Sequence, residues 1–192
     1  MTDYATLTEL KTHLRITNST DDTELSAKLT AASRRVDGDT GRIRGYGLDV
    51  STSQRIYTPD HETLLLVDDI ATATALVVEI GRGTGWSTVD SNSYDLLPPN
   101  AVADGRAIEA IKRINGFWPL WGIHQVRVTA TFGWPAVPDN IKAATLLVAA
   151  RLFRRKDSPE GVKGSTDLGQ VYVSRYDPDY DWLINRYVKD VK

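Results

Sequence analysis

The sequence predicts an α+β fold: a small helical bundle, made of two opening helices, a long central helix and a closing helix, with an antiparallel β domain inserted before the central helix. Two observations predict it. Apolar residues recur at helical spacing toward both ends of the chain, whereas between Gly41 and Pro138 they fall into short β-branched and aromatic runs broken by Gly, Pro, Asn and Asp. With 192 residues, the chain is long enough to bury roughly 70% of its unfolded surface as one domain or one domain plus an insertion.

The opening helices occupy residues 1–40. In "TLTELKTHLRI", Leu7, Leu10 and Leu14 share one face, and Thr6 with Glu9 has the form of a capping box, in which hydroxyl and carboxylate satisfy the first free amides. After "TNST", Asp21 or Asp22 caps a longer helix with Leu25, Leu29, Ala32 and Val36 in one stripe, stopped by Gly38 and Gly41. Residues 41–137 read as five or six strands, in "QRIYTP", "TLLLV", "ALVVEI", "WSTVDSNSYDLLPP" and "HQVRVTATFGW". In the last, Val126, Val128, Ala130 and Phe132 alternate with Arg127, Thr129 and Thr131, so one face is core. "AIEAIKRI" fits a helix by the spacing of Ile108, Ile111 and Ile114, but its place between turn signals favours a strand.

Residues 138–156 form the long helix, with Pro138 in its first turn. Between Ala143 and Ala150 almost no position is polar, so other helices must enclose it, from this chain or from neighbouring copies. Residues 157–176 hold Pro159, Gly161, Gly164 and Gly169 and too little apolar surface to offset the cost of ordering, which predicts a docking arm that orders on contact. Residues 177–192 form the closing helix, with Tyr180, Leu183, Ile184, Tyr187, Val188 and Val191 on one stripe and Asp181, Asn185, Arg186 and Lys189 opposite.

Charge and composition narrow the chemistry. Twenty-three Lys and Arg against twenty-five Asp and Glu argue against a dedicated nucleic-acid binder, which needs a cationic excess to neutralise phosphates. The absence of cysteine removes disulfides, thiolate nucleophiles and Cys-based zinc sites, as expected of a protein kept in a reducing cytosol. The start has no basic flank or apolar stretch, and no segment reaches the ~18 apolar residues of a membrane span, so neither export nor a membrane partner is expected.

Fragments that hint at a catalytic, cofactor or metal site have simpler readings, and none is expected. "EIGRGTGW" spaces Gly81, Gly83 and Gly85 like part of a dinucleotide loop, yet "WSTV" after it reads as a strand, so the glycines make a hairpin turn. "DPDYDW" imitates a calcium loop, but Trp182 and Val188 stand where Gly and Glu are needed, and acidic residues at a helix start suit the dipole. His13, His61 and His124 are scattered, and the pairs Asp21/Asp22 and Asp68/Asp69 read as a helix cap and a turn. Arg151, Arg154, Arg155 and Lys156 offset the helix dipole, worth roughly 0.3–1 kcal/mol each at most. Four cations in six residues exceed that need and point to an acidic partner surface or passing phosphates.

The order "YATLTELKTHLRI", "LSAKLTAASRRVDGDTGR", a β stretch ending "VRVTATFGWPAVPDNIKAATLLVAARLFRRKDSPEG" and a closing amphipathic helix resembles the head-to-tail adaptor family (head-completion or connector proteins) of tailed bacteriophages. The turn at Gly133, Trp134 and Pro135, the helix from Asn140 and "RRKDSPEG" carry it most specifically. The resemblance implies a structural virion protein without catalysis: a homo-oligomeric ring of about twelve copies at the head–tail interface, assembled in the host bacterial cytoplasm. Its partners are then the portal, a downstream tail or stopper protein, and double-stranded DNA that passes through without sequence-specific binding. The smallest members are purely helical, so the β insertion departs from them.

On this reading Arg151, Arg154, Arg155, Lys156, Lys163, Val171, Tyr172 and Val173 bind partners, the last three as an added strand, while Ala144, Leu147, Val148, Leu152, Leu183, Ile184 and Tyr187 pack subunits. Two other classes stay open. A tail terminator would be β-dominated and lack the opening and closing helices, and a nucleic-acid enzyme would need clustered carboxylates for metal.

Overall fold

A computed structural model describes residues 3–42, 44–120, 125–155, 162–163, 171–172 and 177–189. The chain forms two compact units, residues 1–46 with 137–192 and residues 47–136.

The first unit is helical: α1 (Leu7–Leu14), α2 (Asp22–Asp39), α3 (Asp139–Arg154) and α4 (Pro178–Ile184), the last followed by a 3₁₀ turn at Asn185–Tyr187. The capping box of α1 forms as its sequence requires. Thr6 Oγ1 accepts the Glu9 amide at 3.2 Å and Glu9 Oε2 accepts the Thr6 amide at 2.7 Å. Glu9 Oε1 also pairs with Lys142 Nζ of α3 at 2.9 Å. The Thr6 amide and then Lys142 hold the Glu9 carboxyl far below its ordinary range, at about 2.

Helix α2 buries Leu25, Leu29, Ala32 and Val36, the stripe read from the sequence. The expected cap is different. Asp21 stands at the N-cap position but makes no side-chain capping bond, and Asp22 pairs instead with Lys11 of α1 at 2.7 Å. Residues 41–46, read as the start of the β domain, belong to the helical unit. Tyr46 donates its amide to the Tyr4 hydroxyl at 3.0 Å, and that hydroxyl donates to Asp37 Oδ1. Gly45 sits at φ +69, where any Cβ would overlap Tyr4. Burial pushes the Asp37 carboxyl up against the opposing pull of Tyr4 and Arg34, and burial first, then Asp37, keeps the Tyr4 phenol protonated.

Helix α3 is the centre of the unit and packs against α1, α2 and α4. Pro138 is its N-cap residue, not part of its first turn. The closing helix is much shorter than its sequence stripe suggests. Helical geometry ends at Ile184 and the 3₁₀ turn at Tyr187, and Val188 is extended and exposed. Tertiary hydrogen bonds take over the backbone there: Arg42 Nε donates to the Tyr187 carbonyl at 3.0 Å, and the Lys189 amide donates to the Thr40 carbonyl at 2.9 Å. Val191 lies outside the described residues.

Among the described residues, the second unit holds seven strands where five or six are expected: β1 (Ser53–Tyr57), β2 (Leu64–Ile70), β3 (Val77–Arg82), β4 (Gly85–Thr88), β5 (Tyr94–Leu97), β6 (Ile108–Arg113) and β7 (Gln125–Ala130). The extra one arises because "WSTVDSNSYDLLPP" folds as β4, a 3₁₀ turn and β5. "AIEAIKRI" is strand β6. All pairings are antiparallel, in a four-stranded sheet of order β1-β7-β3-β4 and a three-stranded sheet of order β2-β6-β5. Val78, Val126 and Val128 of one sheet share a core with Leu65, Val67, Ile108 and Ile111 of the other.

Asp68 and Asp69 are not in a turn. They lie within β2 at a register shift between Leu66 and Ile70, where Asp68 accepts from Arg55 at 2.8 Å and from the Tyr57 hydroxyl at 3.2 Å. Asp69 accepts the Trp134 indole N–H at 3.0 Å on its side chain and the Gly133 amide at 2.7 Å on its carbonyl. Gly133 has φ +114, and a Cβ there would overlap the Gly47 carbonyl. The glycine-tryptophan turn therefore closes the β unit by a backbone approach no other residue permits.

Gly133→Ala is expected to destabilise the β unit by at least about 2 kcal/mol, through backbone strain and overlap together. Gly83→Ala, in the β3–β4 turn at φ +59 with open space around it, costs about 1 kcal/mol from conformation alone. Denaturant midpoints of the two variants check the difference. Glu9, depressed in the folded state, contributes stability that is present above its ordinary 4.5 and lost as pH falls toward about 2. Glu9→Gln should remove that part of the acid limb while leaving its shape above pH 5 unchanged, as thermal melts across pH will show.

Candidate docking surface on the helical unit

The cationic end of α3 is built into the bundle by one carboxylate. Asp177 Oδ1 caps α4, accepting the amides of Asp179 at 3.0 Å and Tyr180 at 3.4 Å, while Oδ2 pairs with Arg151 of α3 at 2.9 Å. The sequence marks Asp177 only as a helix start. Beside this junction lies a shallow depression lined by Arg35, Val148, Arg151, Leu152, Arg155 and Tyr180.

Tyr180 and Arg35 share one acceptor. The Tyr180 hydroxyl donates to Asp39 Oδ2 at 2.7 Å, Arg35 Nε donates to the same oxygen at 3.2 Å, and the Arg35 guanidinium stands 5.7 Å from the Tyr180 ring centroid. Burial, then the bond to Asp39, pushes the phenol upward, so it remains a donor. Three guanidiniums thus surround an aliphatic floor, with Asp39 and Asp177 opposing two of them. Such a surface attracts acidic side chains or phosphate by charge and presents no nucleophile. Among the described residues, no three His, Asp or Glu side chains lie together as ligands for a metal ion, and no helix is long and apolar enough to cross a membrane.

Of the residues singled out for partner binding, Arg154 and Arg155 are exposed at the end of α3, and Arg151 is half-buried against Asp177. Of the expected arm, two short stretches that contain Lys163, Val171 and Tyr172 are described. Val162–Lys163 (β8) and Val171–Tyr172 (β9) pair with each other, Lys163 opposite Val171 and Val162 opposite Tyr172. Lys156 and Val173, and the rest of the expected arm, lie outside the described residues.

Of the packing set, Ala144, Val148 and Ile184 are buried in the unit's own core and are not surface for a neighbour. Leu147, Leu152, Leu183 and Tyr187 keep partial exposure. Sequence reasoning missed Arg35 and Asp39, which nothing in α2 distinguishes from solvated charges. It also missed Trp182, for which a signal existed: a tryptophan off the apolar stripe of its own helix.

Residues 4–75 match the phage gp6-like head-tail connector protein family, a stretch running from Tyr4 through α1, α2, β1 and β2. The resemblance is to the phage head-tail connectors. Among solved structures, the likeness extends over nearly the whole chain. It is similar to a chain from the neck of an empty gene transfer agent (GTA) particle computed with C6 symmetry, with TM-score 0.56 and 20% identity over 96% of this chain and 89% of that one. It is also similar to a chain from the neck of the native GTA particle computed with C12 symmetry, with TM-score 0.51 and 18% identity over 97% and 93%. A chain from the native GTA virion gives 0.52 and 21% over 96% and 89%. Among curated proteins, none matches. The family matched is one of connectors, and the structures matched are of particle necks and a virion.

The shared roles of Asp177 predict a graded response. Asp177→Ala, which removes both cap and ion pair, should cost about 1–2 kcal/mol, and removal of the partly exposed pair by Arg151→Met should account for less than about 1 kcal/mol. The double variant should cost less than the sum of the two single variants, because the shared pair is lost only once. Urea unfolding of the three variants tests this.

Proposed function

We propose that this chain is a structural neck protein, a head-to-tail adaptor that forms a ring of about twelve copies below the portal of a tailed bacteriophage particle. The ring extends the DNA channel, offers a docking surface to the downstream tail or stopper protein, and is assembled in the host bacterial cytoplasm. The observation that carries the reading is the likeness to particle-neck chains over 96% and 97% of this chain, joined to the connector match at residues 4–75. That those necks were computed with C6 and C12 symmetry supports a closed ring.

Charge distribution supports a division of labour. Of the 23 Lys and Arg, 6 lie in the β unit, beside 10 of the 25 Asp and Glu. The acidic β unit is unsuited to line a DNA path, whereas the helical unit has the slight cationic excess and the Arg154–Arg155 end that suit an acidic portal surface or passing phosphates. Contacts of this kind guide DNA without reading its sequence.

Electron microscopy of the purified protein mixed with the portal of its own particle tests the assignment. A ring of copies capping one end of the portal is expected. Binding of a single copy, or no binding, would overturn it.

A further inference from the structure

A closed ring joins two different faces of each subunit, because only a heterologous contact repeats around an axis. The helical unit carries two helix faces that fit each other. On α3, Ile141, Ala144, Thr145, Val148, Ala149 and Ala150 are buried. The opposite face runs through Ala143, Leu147 and Arg154, with exposed Asp139 one turn earlier. Between its acidic and basic ends this face offers no polar side chain. Ala143 is exposed and Leu147 half-exposed.

On α4 the inward residues are Tyr180 and Ile184. Trp182, 74% exposed, stands on the far side, with exposed Asp179 one turn before it and exposed Arg186 one turn after. An indole held out on a helix is the kind of side chain that dominates interface energies when it finds an apolar seat. Both faces therefore have the same plan: a carboxylate at the N-terminal end, an apolar middle and an arginine at the C-terminal end.

We infer that Trp182 of one copy packs on the Ala143–Leu147 face of α3 in the next copy, with the two helices antiparallel. Antiparallel packing sets Asp179 against Arg154 and Arg186 against Asp139, while parallel packing sets like charges together at both ends. The charged residues are about 22 Å apart along α3 and about 10 Å apart along α4 and the 3₁₀ turn after it, at roughly 1.5 Å per residue. Centred on Trp182, that difference is shared between the two ends and spanned by the long arginine side chains. The small Ala143 leaves room for the indole. This contact rests on the ring assignment and names the surfaces that build it.

The chain has no cysteine, so single cysteines can be placed on an unreactive background. Ala143→Cys and Asn185→Cys, the latter one turn beyond Trp182, are made in separate chains and treated with a short bismaleimide in the portal-bound assembly. The mixture should yield a cross-linked pair containing one chain of each kind, and neither variant alone should yield any. Adding Trp182→Ala to the Asn185→Cys chain should lower the yield at least about tenfold, with an unchanged melting temperature because Trp182 contributes little to the unit's own core. A visible ring without the mixed product, or cross-linking of either variant to itself, overturns this contact and leaves the ring standing. Absence of any ring on the portal removes the assignment on which it rests.

Discussion

The helical unit depends on the burial of α3. A sixteen-residue helix whose middle is Ala, Leu and Val has no face that water solvates well, so it is stable only where other helices cover it. Three other helices do so, and each is tied to α3 or to its neighbour by a polar contact at the rim. Glu9 with Lys142 fixes α1, Lys11 with Asp22 fixes α1 to α2, and Asp177 with Arg151 fixes α4. Such pairs contribute little energy individually. Their role is positional: they set the angle at which each helix meets the apolar surface that does contribute.

The same economy makes docking features from capping features. Asp177 caps α4 with one oxygen and holds Arg151 with the other, so the residue that starts the last helix also places the cationic end of α3. Asp39, near the end of α2, accepts from both Arg35 and Tyr180 and so shapes the adjoining depression. A surface for acidic groups thus emerges from contacts the fold already needs. Acidic partners find arginines whose side chains are pre-positioned, which reduces the entropy lost on docking.

The β unit is closed by a different constraint. Gly133 lets the chain pass against Gly47 at a backbone angle that side chains do not tolerate, and Trp134 then reaches Asp69 in the shifted register of β2. Asp69, one of the acidic pair that looks like a turn, is thereby the acceptor of the closing turn. The pair's chemistry is consumed by Arg55, Tyr57 and Trp134 rather than left for a metal.

The sequence by itself determined the alternation of a helical frame with an antiparallel β insertion, the capping box at Thr6 and Glu9, the strand β6 and the inward stripes of α2 and β7, because each depends on spacing within one segment. It also held the connector resemblance, carried by local motifs. Only the tertiary structure decided where the closing helix ends, since Arg42 and Thr40 draw on the backbone of residues 187–189 from far along the chain. It alone divided the apolar residues of α3 and α4 between the unit's own core and its surface. Ala144 and Val148 are buried while Ala143 is exposed, and Tyr180 is buried while Trp182 stands out. Periodicity tells that a face is apolar; what covers it depends on the elements that arrive from elsewhere.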